Sequence, residues 1–167
     1  MIVYHPAYDV SHCLYRMLLL LENIPCRDIE VERLQLLDFL LLFPSLLKNI
    51  SFPSELKSAR KALSSIQDQY ENLPNPTRLM FELDNIQKES ISSLIARGFI
   101  NKDNVYNGVI SRTDIELPIE LVSKMSGDSV VKEAWFLLLV NNLSILDFYG
   151  SKGLKARSKM MEYRYDV

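Results

Sequence analysis

Four side chains in the first 26 residues, those of His5, His12, Cys13 and Cys26, are of the types that bind transition metals. Their spacing does not favour a metal site, because the neighbours His12 and Cys13 would project about 100° apart on a helix. The sequence has no CxxC or HExxH pair to supply further ligands. We therefore expect no metal and no cofactor, and we assign these side chains to packing.

A second set of residues has the order of a metal-dependent nuclease core, with Asp38 followed by Glu55 and Lys57 in an acid-x-lysine pattern. That chemistry requires a β-strand, on which residues i and i+2 share a face. The apolar spacing instead predicts that Glu55 and Lys57 begin an amphipathic helix, where their side chains diverge. The sequence also has no GxxxxGK[ST], GxGxxG or GxSxG motif. We therefore expect no catalytic residues.

The composition is that of a globular protein, with 48% hydrophobic and 24% charged residues in a chain of 167. The apolar runs at 17–21 and 135–140 are far shorter than the roughly 20 residues that a membrane span requires. The run at 17–21 also lacks the cationic start of a secretory leader. We expect a cytoplasmic protein that contacts no membrane.

Most of the chain has apolar residues at helical spacing, which predicts a mainly α fold. The first helix is expected to begin at Asp9 or Ser11, either of which can cap it. The second is expected to run from Asp28 to Pro44, and its apolar residues on every face predict a central, buried helix. Ser54 is expected to cap a third helix.

Residues 75–117 have the order of a winged helix. Asn75 and Pro76 predict the start of a short helix. A second short helix is expected to end at Gly98. A β-hairpin is expected over residues 105–110, with its turn at 107–108. The predicted fold is therefore a winged-helix-like helix-turn-helix with a small β-hairpin, embedded in additional helices. We expect an N-terminal helical part at 1–73, the winged-helix-like segment at 74–118, and C-terminal helices with a basic tail at 119–167, all in one compact domain.

The charge distribution favours binding to other proteins over binding to DNA. The net charge is −2, and the segment 75–117 carries five basic and six acidic residues, whereas 151–167 carries five basic and two acidic ones. A weakly acidic segment suits protein docking better than duplex binding by this chain alone. The basic tail is either solvated or an electrostatic contact. The candidate contacts for nucleic acid or a partner are Lys88, Arg97, Lys102, Arg112, Lys152, Lys155, Arg157 and Lys159.

Trp135 and Phe136 lie in a predicted helix that is apolar over a wide face. Such a helix is buried either in the core of its own chain or against a partner chain. The intrachain core is the favoured interpretation, and the two residues are retained as a candidate protein interface.

Three stretches, HPAYD at 5–9, LDFLLLFP at 37–44 and NPTRLMF at 75–81, resemble the middle-component subunits of three-component ABC-ATPase defence systems, a group also called Lamassu. The resemblance implies a non-catalytic accessory subunit in anti-phage or anti-plasmid defence. It implies two partners, an SMC-like coiled-coil ATPase and a nuclease effector, which would hold the ATP and nuclease sites. DNA would be engaged only through the complex.

The competing hypothesis is a free-standing winged-helix transcription regulator. It predicts a self-complementary dimer that binds a discrete duplex site in isolation, with a steep dependence on salt. The accessory-subunit hypothesis predicts little DNA affinity in isolation and stable co-purification with a large ATPase.

Overall fold

The computed structural model of the protein describes residues 5–68 and 75–161. Within these ranges the fold is mainly helical, as expected, with one small antiparallel sheet. No helix in the described part is long and apolar enough to cross a membrane. In chain order the elements are α1 (Val10–Asn23), β1 (Asp28–Glu30), α2 (Val31–Leu42), α3 (Pro76–Ala96), α4 (Lys102–Tyr106), β2 (Val109–Ser111), α5 (Ile119–Ser126), α6 (Ala134–Leu138) and α7 (Leu154–Ser158).

Shorter helical segments connect these elements. The 3-10 helices are Pro6–Tyr8, Pro44–Asn49, Ser54–Leu63 and Ser129–Lys132, and a π-helical turn at Leu139–Leu143 continues α6. The predicted third helix is thus present as a 3-10 helix, but the predicted cap is wrong, because Ser54 is its first residue and no side chain caps it.

Helices α1 and α2 form the centre of the core, with α3 packed against both. The Asp9 side chain caps α1 by accepting a hydrogen bond from the backbone N–H of His12 at 2.9 Å, as predicted. All nine residues at 33–41 of α2 are buried, which confirms the predicted central helix. Its predicted start at Asp28 is wrong, because residues 28–30 extend to pair with β2 and the helix begins at Val31.

Helix α3 is a single helix of 21 residues, so the predicted division into two short helices is wrong. The Asn75 side chain caps it by accepting a hydrogen bond from the N–H of Thr77 at 3.0 Å, with Pro76 in the first turn. No glycine or proline interrupts it before Gly98, which follows its end at a φ of 77°. Polar side chains at its centre are buried with hydrogen-bond partners, and the helix therefore continues through them.

The predicted hairpin at 105–110 is also wrong. Residues 102–106 form α4, which the Asn101 side chain caps at 3.0 Å from the N–H of Asn104. The Asn107-Gly108 pair ends this helix, with Gly108 at a φ of 80°. Strand β2 instead pairs with the distant β1, in the register Asp28↔Ser111, Ile29↔Ile110 and Glu30↔Val109, and Ile100 forms an isolated bridge with Arg112.

Candidate interaction surfaces

A charged side chain lies at the junction of α1, α2 and α3. Asp38 is fully buried and accepts hydrogen bonds from Arg16 Nε at 2.7 Å and Nη2 at 3.3 Å, and from Gln87 Nε2 at 3.0 Å. The Cys13 thiol donates to the same carboxylate at 3.6 Å. Asp38 is therefore held by the fold, whereas Glu55 and Lys57, the other members of the nuclease-like pattern, are exposed on the 3-10 helix Ser54–Leu63.

The metal-binding residue types are not brought together. Burial, followed by the charge of Asp38, raises the pKa of the Cys13 thiol to about 12, so this cysteine is an inert core residue. Cys26 is exposed, and the Nδ1 atom of His5 accepts a hydrogen bond from the N–H of Ala7 at 3.1 Å. Across residues 5–68 and 75–161, no group of three or more His, Cys, Asp or Glu side chains could hold a metal ion.

Three of the candidate cations lie on the surface formed by α3 and α4. Lys88 is exposed and pairs with Asp84 at 2.7 Å, one turn earlier in α3. Arg97, just after α3, is exposed and donates from Nε to Ser93 Oγ at 3.3 Å. Lys102 is exposed at the first position of α4.

Lys88 and Lys102 border a groove of about 560 Å³ between α3, α4 and the start of α2, which we call the α3–α4 groove. Tyr106, 78% exposed, lies on its rim, and Tyr149 also lines it. Neither tyrosine stood out in the sequence, because residues that are distant along the chain meet at this groove only in the folded structure. The lining residues are Val31, Glu32, Gln35, Lys88, Ile91, Ser92, Ile95, Lys102, Val105, Tyr106, Gly108 and Tyr149.

Arg112, another of the candidate contact residues, is held in place by several partners within the chain. Its side chain is 14% exposed and forms an ion pair with Glu22 of α1 at 2.7 Å. It also donates to the carbonyls of Phe99 at 3.1 Å, Thr113 at 3.0 Å and Ile115 at 2.8 Å. The guanidinium thus links α1 to residues that precede β2 in the chain and to residues that follow it.

The basic stretch after residue 150 is packed against the core as far as it is described, so the solvated tail is wrong for residues 151–161. Lys155 is buried and pairs with Glu32 of α2 at 2.6 Å. Arg157 donates to the carbonyls of Ser51 and Lys152 at 3.0 and 2.6 Å. Lys152 and Lys159 are exposed, whereas Arg164, which contributed to the predicted basic tail, lies outside the described residues.

Trp135 and Phe136 are buried inside the chain, at 8% and 0% exposure, with their rings edge to face at 6.4 Å. The intrachain core is thus the alternative that the structure contains. The candidate protein interface must be sought elsewhere.

A second groove, of about 680 Å³, lies between the end of α1 and the chain leading into α5. We call it the α5 groove. The sequence does not reveal this groove, because the apolar residues of α5 resemble those of any core helix. Its lining residues are Leu21, Glu22, Ile24, Pro25, Cys26, Arg27, Arg112, Thr113, Asp114, Ile115, Glu116, Leu117, Ile119 and Val122.

The sequence of the chain matches a known family over nearly its whole length. The matching family is described as ABC-three component (ABC-3C) system Middle Component 5, and the match covers residues 2–166. A search of curated proteins and a search of solved structures each found no match.

Proposed function

Since the chain belongs to the ABC-three component (ABC-3C) system Middle Component 5 family, we propose that it is a non-catalytic accessory subunit of an anti-phage or anti-plasmid defence complex. The partners in this proposal are a Lamassu-type, SMC-like coiled-coil ATPase and a nuclease effector, which hold the ATP and nuclease sites. The observation that carries the proposal is the family match over residues 2–166.

The burial of the side chains that could take part in catalysis supports a non-catalytic role. Asp38 is enclosed by donors from α1 and α3, and the Cys13 thiol beside it is buried with a raised pKa. A nucleophile or general base must reach its substrate, and a catalytic cysteine needs a lowered pKa. These two groups serve the packing of the core instead.

The topology supports a winged-helix-like arrangement that is larger than the segment 75–117. A winged helix has three helices, and a strand between the first two pairs with the last strand after the third helix. Here β1 lies between α1 and α2 and pairs with β2, which follows α3. The bridge between Ile100 and Arg112 closes a loop of residues 101–111, which corresponds to the wing. Helix α3 corresponds to the recognition helix.

In this arrangement the surface of α3 and α4 is the part of the subunit that approaches DNA within the complex. Lys88, Arg97 and Lys102 would contact phosphates, and exposed Tyr106 would add a stacking or packing surface. Acidic neighbours weaken the field, since Asp84 pairs with Lys88 and Asp103 follows Lys102. We therefore expect weak DNA binding by the isolated chain and stronger binding by the assembly.

Co-expression with the products of the neighbouring genes, followed by pull-down and mass spectrometry, tests the proposal. We expect a stable complex with a large ATPase, and little DNA affinity in the isolated chain. A chain that purifies alone as a dimer and binds one DNA site with steep salt dependence would instead be a transcription regulator.

A charge reversal separates DNA contact from assembly. Lys88→Glu combined with Lys102→Glu is expected to lower the DNA affinity of the complex while leaving its composition unchanged. Lys57→Glu, at an exposed lysine on the 3-10 helix Ser54–Leu63, is the matched control. Equal DNA affinity for the double variant and the control would exclude the α3–α4 surface as a DNA contact.

A further inference from the structure

Three large apolar side chains are exposed side by side at the α5 groove. Ile119 is 76% exposed, Ile115 50% and Val122 45%, and all three line the groove. They make up a third of the nine large hydrophobic residues that are exposed in the described part of the chain. A smaller depression of about 190 Å³ shares Glu22, Leu117 and Val122 with the groove and extends it. Clustered exposure of this kind marks an interaction site, whereas single exposed residues do not.

The wall of the α5 groove is fixed before any partner binds. Arg112 holds the carbonyls of Thr113 and Ile115, and the backbone N–H of Thr113 donates to the carbonyl of Phe99 at 2.9 Å. Arg27 forms an ion pair with Asp114 on the same wall. A preformed wall loses little conformational freedom on binding, so more of the contact energy is available for affinity.

The rim of the α5 groove is acidic. Its two arginines are already engaged, Arg112 with Glu22 and Arg27 with Asp114. Glu116, which lines the groove, is exposed and forms no ion pair with any described residue. Glu120 is not a lining residue, but it follows Ile119 in α5, is exposed and also forms no ion pair with any described residue. The uncompensated charge at the rim is therefore negative.

The negative rim distinguishes among the possible occupants. A second copy bound symmetrically would place two acidic rims face to face, which is repulsive. DNA phosphates and anionic lipid headgroups would be repelled in the same way. A protein segment with apolar side chains and nearby positive charges satisfies both the exposed isoleucines and the glutamates.

We propose that the α5 groove is the docking site for a segment of another subunit of the defence complex, one that carries apolar side chains flanked by lysine or arginine. The inference rests on the proposed function and adds the surface and the chemistry of the contact. Ile119 and Val122 pack against the apolar side chains of the partner segment. Glu116 and Glu120 form ion pairs with its lysine or arginine side chains.

The test uses the complex purified after co-expression. Ile119→Asp combined with Val122→Asp is expected to weaken partner retention about 10- to 100-fold, since such residues would be hot spots of the interface. Ile145→Asp is the matched control, because Ile145 is also exposed, at 56%, but lies outside the groove. Thermal melts of the isolated variants check that all of them fold, and Ile119→Ser with Val122→Ser replaces any aspartate variant that does not.

Cys26 provides an independent readout, because it is exposed and lines the groove. Maleimide should alkylate Cys26 rapidly in the isolated chain and on the order of tenfold more slowly in the complex. Buried Cys13 is the unreactive internal reference. Mass spectrometry of the intact chain follows both thiols.

A charge test addresses the cationic flank. Glu116→Lys should weaken partner retention about three- to tenfold, whereas Glu55→Lys, at an exposed glutamate on the 3-10 helix Ser54–Leu63, should not. Equal or stronger retention with Glu116→Lys would overturn the cationic flank.

The outcomes separate this inference from the proposed function. If the wild-type complex forms but Cys26 is equally reactive in it and the double aspartate variant keeps its partners, the groove proposal is wrong and the accessory role stands. A dimer of the isolated chain that the aspartates disrupt would also overturn the proposal, in favour of self-association. If the wild-type chain retains no partner at all, both proposals fail.

Discussion

The junction of α1, α2 and α3 and the α5 groove distribute their side chains in opposite ways. At the junction a carboxylate and a guanidinium lie within the apolar core, with Asp38 fully buried and the Arg16 side chain 12% exposed. At the groove large apolar residues face outward, with Ile119 76% exposed. The buried charges are satisfied by their own chain, whereas the exposed apolar residues are not covered by it. Polar groups inside thus serve the fold, and apolar groups outside are available to a partner.

The difference is also one of energy. Burying a charge is favourable only when its partners are in place, so the junction tolerates few alternative packings. The Asp38 carboxylate accepts hydrogen bonds from Arg16 and Cys13 of α1 and from Gln87 of α3. The exposed apolar side chains of the groove, Ile115, Ile119 and Val122, contribute little to the stability of the isolated chain, because much of their surface remains in water. Substitutions should therefore affect stability at the junction and assembly at the groove.

The largest effect is expected for Asp38→Ala, which leaves the Arg16 guanidinium without its carboxylate. Breaking a buried ion pair in this way costs about 3–5 kcal/mol of unfolding free energy. Arg16→Met with Asp38→Leu removes both charges and should cost less than the sum of the single substitutions. Urea unfolding of the wild type, Arg16→Met, Asp38→Leu and the double variant measures the coupling, and additive losses would show that the pair acts through packing alone.

Arg112→Ala should destabilise the chain by about 2–3 kcal/mol, because three carbonyls and Glu22 lose their donor together. The same substitution should loosen the wall of the α5 groove and reduce partner retention, which links the two regions. Arg97→Ala, at an exposed arginine, is the control and should stay within about 0.5 kcal/mol. Equal denaturant midpoints for the two variants would contradict the structural role of Arg112.

Local signals predicted much of the fold. The caps at Asp9 and Asn75 give the starts of α1 and α3 correctly, because a cap is an interaction between near neighbours. The burial of α2 follows from its composition. The pairing of β1 with β2 could not be predicted in the same way, since it joins residues about 80 positions apart and a three-residue strand carries almost no periodicity.

The candidate contact residues also differ in how far they could be predicted. Lys88, Arg97 and Lys102 are exposed, as a sequence-based candidate contact must be. Arg112 and Lys155 belong to the same residue types but are held in the structure by partners that are distant in sequence. The α5 groove could not be predicted, because Ile119 and Val122 have the spacing of core residues, and only the folded structure shows that they are 76% and 45% exposed.

Lys155→Ala tests whether a lysine of the basic stretch stabilises the fold. Its ion pair with Glu32 is largely shielded from water, with side-chain exposures of 8% and 27%, and its loss should cost about 1–2 kcal/mol. Lys152→Ala removes an exposed lysine three positions earlier and should change stability by less than about 0.5 kcal/mol. Chemical denaturation of both variants provides the comparison, and a neutral Lys155→Ala would show that the ion pair with Glu32 does not stabilise the fold.

The smallest effect on stability is expected for Ile119→Ser, which should change the unfolding free energy of the isolated chain by no more than about 0.5 kcal/mol. Ile110→Ser is its matched partner, because Ile110 in β2 is fully buried and its replacement leaves a polar group and a cavity at a cost of about 3 kcal/mol or more. The order should reverse for the groove itself. Ile119→Ser should reduce partner retention in a chain that remains fully folded, because the side chain that it shortens is buried only when another subunit covers the α5 groove. An Ile119→Ser variant that unfolds like Ile110→Ser would mean that this isoleucine already serves the core, and the contrast between the two regions would disappear.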